Sequence, residues 1–327
     1  MIERIVDFSI RNKTVVFAAT AALVLAGLWS MEQMRLDAIP DLSDTQVIVY
    51  STWDRSPDLV EDQVTYPIVT AMQGAPGVRA VRGISDFGNS FVYVIFEDGT
   101  DLYWARSRVQ EYLSAVLADL PEDAETRLGP DASGLGWLFQ YALVDDNGRM
   151  NLSELRDLQE YYLRYHLRAV PGVAEVATVG GFRLEYHVDV DPNRLLTHDI
   201  PIQAVVDAVR AGNAETGARL MELGSTEYMV RLRGYARTAD EISQIVVGAA
   251  ADGRPLRVRD VGTVSPGPGP RRGVADLDGR GDVVSGIVVM RHGQNALHVI
   301  EGVRSRMTEL ERGLPDGVRI VTVYDRS

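Results

Sequence analysis

Five histidines and no cysteine limit the chemistry this sequence can do. The missing thiol excludes a cysteine nucleophile, a CxxC redox pair, a cysteine zinc site and a thiolate copper site. Lys13 is the sole lysine, so neither a phosphate-binding loop nor a Schiff base has its amine. His187 with His198, and His292 with His298, lack the i, i+3 or i, i+4 spacing that sets two ligands on one helix face. Asp189 and Asp191 read as a strand end and its following cap. Asp276, Asp278 and Asp282 in DLDGRGD resemble part of a calcium loop, but no glutamate completes it, and a charged hairpin turn is the simpler reading. No G-x-S-x-G elbow is present, and GPGPRRG puts proline where a phosphate cradle needs N–H donors. No acid, base and nucleophile converge, so the chain reads as a non-enzyme without a resident cofactor. With 33 basic against 46 acidic residues and a net charge of −13, it has no electrostatic footprint for nucleic acid.

Two segments stand out. In EDGTDLYWARSRVQEYL (97–113), Gly99 closes a strand, Thr100 can cap, and Asp101 begins a helix carrying Arg106, Arg108 and Glu111. In GPDASGLGWLF (129–139), Gly129, Gly134 and Gly136 punctuate a joint on which one domain can swing against another. Ordinary turn chemistry is the competing reading of both.

The elements that must position these segments follow from hydrophobic periodicity. Residues 14–31 carry no charge and as a helix span about 27 Å, enough to cross a bilayer. A cleaved signal peptide is the rival reading, but its apolar region is shorter and a small-x-small cleavage site is wanting. Arg11 and Lys13 before the segment, and Glu32, Asp37, Asp41 and Asp44 after it, place the amino terminus in the cytoplasm and the remainder outside it. Ala18, Ala22, Ala26 and Ser30 form a small-residue stripe suited to packing on other helices.

Beyond it, residues 45–53 alternate as a strand and 57–72 repeat as a helix. Pro76-Gly77-Val78 then opens strands 78–84 and 90–96, the helix 102–117 and a short strand near Thr126. The order is β-α-β-β-α-β. It restarts at Trp137 with strand 138–144 and a helix opened by the capping pair Asn151 and Glu154. Pro171-Gly172-Val173 repeats the earlier breaker. The second half of this copy comes only after an insertion, as strand 283–290, helix 296–310 and strand 318–324. The insertion carries strand 183–190, helix 201–211 capped by Asp199, strand 227–233, helix 239–245 and strand 257–264, with a protruding hairpin at 212–226.

The segments DAIPDLSDTQV (37–47), VEDQVTYPI (60–68), VRGISDFGNSFVYVIFEDGTDLYWARSRV (81–109), GPDASGLGW (129–137), VPGVAEVATVGGF (170–182) and IVTVYDRS (320–327) closely resemble the heavy-metal efflux branch of the RND transporters, and within it the copper/silver pumps. The resemblance covers the whole chain and about the first third of such a transporter. It implies an α+β chain with one transmembrane helix followed by two ferredoxin-like βαββαβ porter subdomains, the second interrupted by a small αβ docking-domain insertion. The implied divisions are 1–35 for the amino terminus and transmembrane helix, 36–132 for the first porter subdomain, 133–181 and 273–327 for the second, and 182–272 for the docking insertion.

The resemblance further implies a proton-driven homotrimer in the bacterial inner membrane. Its partners would be membrane lipid, a periplasmic adaptor and an outer-membrane channel, and its cargo copper(I) or silver(I). Segment 212–226 matches the arm that reaches a neighbouring subunit. Arg82 falls on an arginine of the porter cleft, a charged cleft residue and not a ligand. Soft sulfur suits monovalent copper and silver, yet the family's methionine cluster and its proton-carrying acids lie outside these residues. Pro270 stands where such pumps can carry a methionine. Trp137 stands where zinc and cobalt pumps tend to place a glutamate, which favours the monovalent ions over divalent zinc, cobalt or nickel. A membrane-anchored periplasmic binding or assembly module is the other reading.

Overall fold

The computed structural model describes residues 10–32, 41–223, 226–232, 234–250, 252–271 and 273–327. Residues 1–9 and 33–40, which flank the apolar segment, lie outside the described residues. Helix α1 (Lys13–Glu32) covers the apolar segment. Among the described residues it is the one helix long and apolar enough to cross a membrane, and none of it is buried. The first repeat follows as β1 (Gln46–Thr52), α2 (57–73), β2 (Val78–Asp86), β3 (Asn89–Phe96), α3 (Leu102–Val116) and β4 (Glu125–Leu128). The second begins with β5 (Trp137–Asp145), α4 (152–167) and β6 (Val173–Gly180). Next come β7 (Leu184–Val190), α5 (Pro192–Thr197), α6 (Ile202–Gly212), β8 (Thr216–Leu223), β9 (Thr226–Leu232), α7 (Ala239–Ser243), β10 (Val246–Ala249), β11 (Pro255–Arg257), α8 (Val258–Val261) and β12 (Gly262–Pro268). The chain ends with β13 (Val284–Met290), α9 (Ala296–Glu311) and β14 (Val318–Asp325).

These elements form two compact bodies, one of Met1–Arg149, Leu158–Val179 and Val283–Ser327, the other of Met150–Asp157 and Gly180–Asp282. In the first body the sheets run β2-β3-β1-β4 and β14-β5-β13-β6, the same order of first to fourth strand in both repeats. Tight alternation on β3 sends Val92, Val94 and Phe96 to one face, where Val60, Val64, Ile68 and Met72 of α2 and Ala105, Val109 and Leu113 of α3 cover them. Each such buried side chain contributes about 1.5–3 kcal/mol relative to exposure. The second repeat buries Phe139, Tyr141, Leu143, Val284 and Val288 from its sheet and Leu163, Leu167, Val299, Ile300 and Val303 from its helices.

Both repeats carry a wide π-type turn in their first helix, at Glu61–Thr65 and Leu158–Leu163, and both bury a polar tie beside it. Thr65 Oγ1 lies 2.7 Å from Ser85 Oγ and donates to Ser90 Oγ at 2.8 Å. Tyr141 donates to Gln159 Oε1 at 2.9 Å, and burial holds the phenol above its ordinary range, so it stays a neutral donor. Gly286 leaves the space that the Tyr141 ring fills.

Several local expectations hold. Asn151 Oδ1 accepts from the Ser153 and Glu154 amides while Glu154 Oε2 accepts from Asn151 N–H at 2.8 Å, a complete capping box. Asp191 caps a helix, α5, accepting from Asn193 N–H, and Asp276 accepts from Gly279 and Gly281 in a hairpin turn. Others are corrected. Asp101 and not Thr100 caps α3, accepting from Trp104 N–H at 2.8 Å, while Thr100 Oγ1 turns back to Glu97 O. Asp199 does not cap α6, whose N-cap is Pro201; it sits in a turn with φ 51°. Residues expected as one strand over 257–264 break into β11, α8 and β12. The following prolines extend β12, pairing Pro266 with Tyr186 in a two-stranded sheet, because proline is tolerated where its missing N–H faces no partner strand.

The second body has its own core of Leu195, Ile200, Val205, Val247, Leu256, Val258 and Val261, and β8 pairs with β9 as a hairpin. Along the chain it enters between β6 and β13, the connection that the first repeat makes with a tight turn at Phe87-Gly88.

Gly286→Ala would push a methyl group into the Tyr141 ring. It is expected to destabilise the first body by about 1–3 kcal/mol, read from the denaturation midpoint, with Gly74→Ala as the control, where φ is −82° and an added methyl meets only ordinary contacts at 3.7 Å or more.

Candidate functional site

Val81 packs on the core of the first repeat, and a Cβ at Gly83 would meet Thr65, so Arg82 and Ile84 between and beyond them face away from the helices. Arg82 sits opposite Tyr93 on β3, which sits opposite Ile48 on β1. The neighbouring row is Ile84, Phe91, Tyr50 and Arg127. Tyr50 and Phe91 rings lie 5.0 Å apart, and the Arg127 guanidinium stands 5.2 Å over the Tyr50 ring. Ile84 is 54% exposed. Among the described residues Arg82 is exposed and has no hydrogen-bond or ion-pair partner. The helix-free face is thus an aromatic strip flanked by two cations, suited to attracting anions or meeting another surface and unsuited to ligating a metal cation.

The two segments singled out in the sequence meet. Arg106 Nη1 donates to the Gly129 carbonyl at 2.9 Å and to that of Pro130 at 3.3 Å. Tyr103 donates to Asp131 Oδ2 at 3.3 Å. Arg108 instead pairs with Glu111 at 2.5 Å on the helix surface. Of the three glycines, Gly129 N–H donates to Ile48 O at 2.7 Å, and Gly136 is crowded by Val289, Met290 O and Ser133 O within 3.2 Å. Gly134 has open space, with Ser43 Cβ 3.8 Å from where its side chain would begin. Trp137 is 55% exposed.

No group of three or more His, Cys, Asp or Glu residues that could hold a metal ion occurs among the described residues. Met72, Met290 and Met307 are spent on packing in the core. A polar cluster near the joint was not visible from the sequence: Asp41, Ser43, Asp44, Ser133 and His292 line a cavity of about 100 Å³. Burial pushes the Asp41 carboxyl up, and hydrogen bonds from Ser133 and Ser43 outweigh it and hold the group below its ordinary range.

The described residues thus supply one helix long and apolar enough to cross a membrane, two four-stranded sheets of the same strand order and an inserted αβ body. The chain belongs to the AcrB/AcrD/AcrF family, whose model matches residues 5–327. It is 48% identical to the cation efflux system protein CusA of Escherichia coli (strain K12), across all of this chain and 31% of that protein. It is 47% identical, over the same shares, to the putative cation efflux system protein SilA of Salmonella typhimurium. It is 36% identical to the cobalt-zinc-cadmium resistance protein CzcA of Cupriavidus metallidurans, again over all of this chain and 31% of that protein. A crystal structure of a heavy metal efflux pump superimposes with a TM-score of 0.88 at 31% identity, covering 98% of this chain and 32% of the other. The resemblance to RND heavy-metal efflux transporters therefore holds over the whole chain, which spans about a third of the length of the curated relatives it matches.

Arg82→Ala is expected to leave the melting temperature unchanged within about 0.5 kcal/mol of stability, because an exposed, unpaired side chain supports nothing in the fold. Ser133→Ala is expected to raise the Asp41 pKa toward the ordinary value of about 3.9. A carboxyl with a depressed folded pKa stabilises the fold above its unfolded pKa and loses that contribution as pH falls through the folded value. Carboxyl NMR titration of both forms checks the shift, and a shift in the opposite direction would contradict the hydrogen-bond assignment.

Proposed function

We propose that this chain is the amino-terminal part of a proton-driven RND heavy-metal efflux pump that exports monovalent copper or silver from periplasm or cytoplasm through a tripartite complex. The observation that carries the reading is the 48% identity to CusA along the entire chain, against 36% to the cobalt-zinc-cadmium protein. The same strand order in both repeats supports reading them as the two porter subdomains, with the inserted body as half of the docking domain. The orientation of charge around α1 supports a periplasmic location for everything after it.

In this reading the protein works by moving surfaces and not by chemical turnover. It assembles as a trimer with an adaptor and an outer-membrane channel. Arg82 lines the cleft as a fixed positive charge that shapes the field without binding the cation. The glycine-bearing joint at Gly129, Gly134 and Gly136 lies where the porter subdomains change their mutual angle. The thioether ligands that copper(I) and silver(I) prefer are supplied by parts of the pump outside this chain, since the core methionines named above are committed to packing.

Growth of a strain lacking its own efflux systems and carrying the full-length gene tests the substrate. Protection against copper and silver is expected, and protection confined to zinc or cobalt would overturn the assignment. Arg82→Ala is expected to lower resistance at unchanged protein level; full resistance would reduce Arg82 to a surface residue.

A further inference from the structure

The joint between the repeats is held along almost its whole length, and the points where it is held divide it sharply. On the first-repeat side, Gly129 N–H is bound to Ile48 of β1, and Arg106 of α3 holds the carbonyls of Gly129 and Pro130. The Pro130 ring also fixes its own φ. On the second-repeat side, the anchoring begins one residue later. His292 N–H donates to Asp131 O at 2.9 Å, and Met290 N–H donates to Gly136 O at 2.7 Å. Arg326, 8% exposed at the end of β14, donates to the carbonyls of Leu135 and Trp137. Its own amide donates to Leu138 O at 3.1 Å.

Between the last first-repeat anchor, the Pro130 carbonyl, and the first second-repeat anchor, the Asp131 carbonyl, only two soft backbone torsions remain. They are φ and ψ of Asp131. The side chain of the same residue spans the division. Its Oδ2 accepts from Tyr103 of α3 at 3.3 Å and lies 3.5 Å from Arg291 Nε of the loop after β13. A second contact, Ser133 to the Asp41 carboxylate, crosses at the cavity that Leu102 lines from one repeat and His292 from the other.

We propose that Asp131 is both the pivot and the latch of the joint: its backbone supplies the rotation and its carboxylate holds the closed position through Tyr103. The inference rests on reading the joint as a moving part, and it is independent of which metal is carried. The 3.3 Å Tyr103 contact is long for an O–H···O bond and therefore weak, which suits a contact that opens and recloses. The glycines serve other ends: Gly129 and Gly136 allow close approach of neighbouring chain, and Gly134 lies within the stretch fixed to the second repeat.

The test is a spin-label distance measurement between Ser114→Cys on α3 and Thr308→Cys on α9, both exposed positions in residues that contain no native cysteine. It is made in the full-length protein in detergent, with thermal melts confirming that each variant is folded. Asp131→Ala is expected to broaden the distance distribution about twofold by freeing the latch. Tyr103→Phe, which keeps the ring and removes only the donor, is expected to broaden it in the same direction and decides the matter if Asp131→Ala does not fold. Gly134→Ala is expected to leave the width unchanged. An unchanged width in the folded Asp131 and Tyr103 variants, or a narrowing with Gly134→Ala, would overturn the proposal in favour of a glycine hinge. Broadened distributions with undiminished metal resistance would leave the pivot standing and count against the reading of the joint as a working part of the pump, since resistance is scored separately from width.

Discussion

The four-stranded sheet of the first repeat packs both of its helices against one face. That follows from the β-α-β-β-α-β order, in which both crossovers must have the same hand. The buried face is filled with aliphatic side chains and tied by one polar contact beside each π-type turn. The other face is left with its alternate residues pointing outward, and it is there that Arg82, Tyr93, Tyr50 and Phe91 lie. The aromatic rings of this face are half-buried, and the guanidinium groups of Arg82 and Arg127 at its edges are exposed.

The two repeats follow one another through one short stretch of chain, so how that stretch is held bears on both. The stretch from Gly129 to Trp137 is not slack. Three arginines from three different elements, Arg106, Arg291 and Arg326, hold its carbonyls or its one carboxylate. Arginine suits this work because its planar fork places several donors in fixed directions and keeps its charge at every physiological pH. The freedom is thereby gathered into one residue, which is how a stiff link can still give a defined motion.

Much of the fold was legible because the hydrophobic period switches cleanly between strand and helix, and because Pro-Gly-Val recurs at Pro76 and Pro171. The Asn151 capping box was readable for the same local reason. What the sequence withheld was nonlocal or depended on competition between neighbours. Thr100 and Asp101 are both capping residues, and the choice fell to Asp101 because Thr100 closes back onto Glu97. The alternating prolines and glycines at 266–268 carry no strand pattern of their own, and they extend β12 because β7 offers them an edge. The convergence of Asp41 and Ser133 with His292 brings in a residue more than 150 positions from either, beyond the reach of spacing. Arg106 drew notice as a charge on a helix face; its partners are backbone carbonyls, which no side-chain pattern announces.

Beyond the repeats, the reading of the chain turns on what it carries. No group of three or more His, Cys, Asp or Glu residues that could hold a metal ion occurs among the described residues, and the identity to CusA and SilA runs through both repeats and the inserted body alike. The measurement that tests this most directly is proton release from acid-loaded proteoliposomes containing the full-length protein when a metal is offered on the substrate side. Silver or copper(I) is predicted to discharge the pH gradient while zinc and cobalt at the same concentration leave it standing. A gradient discharged by zinc or cobalt and indifferent to silver and copper(I) would contradict the account.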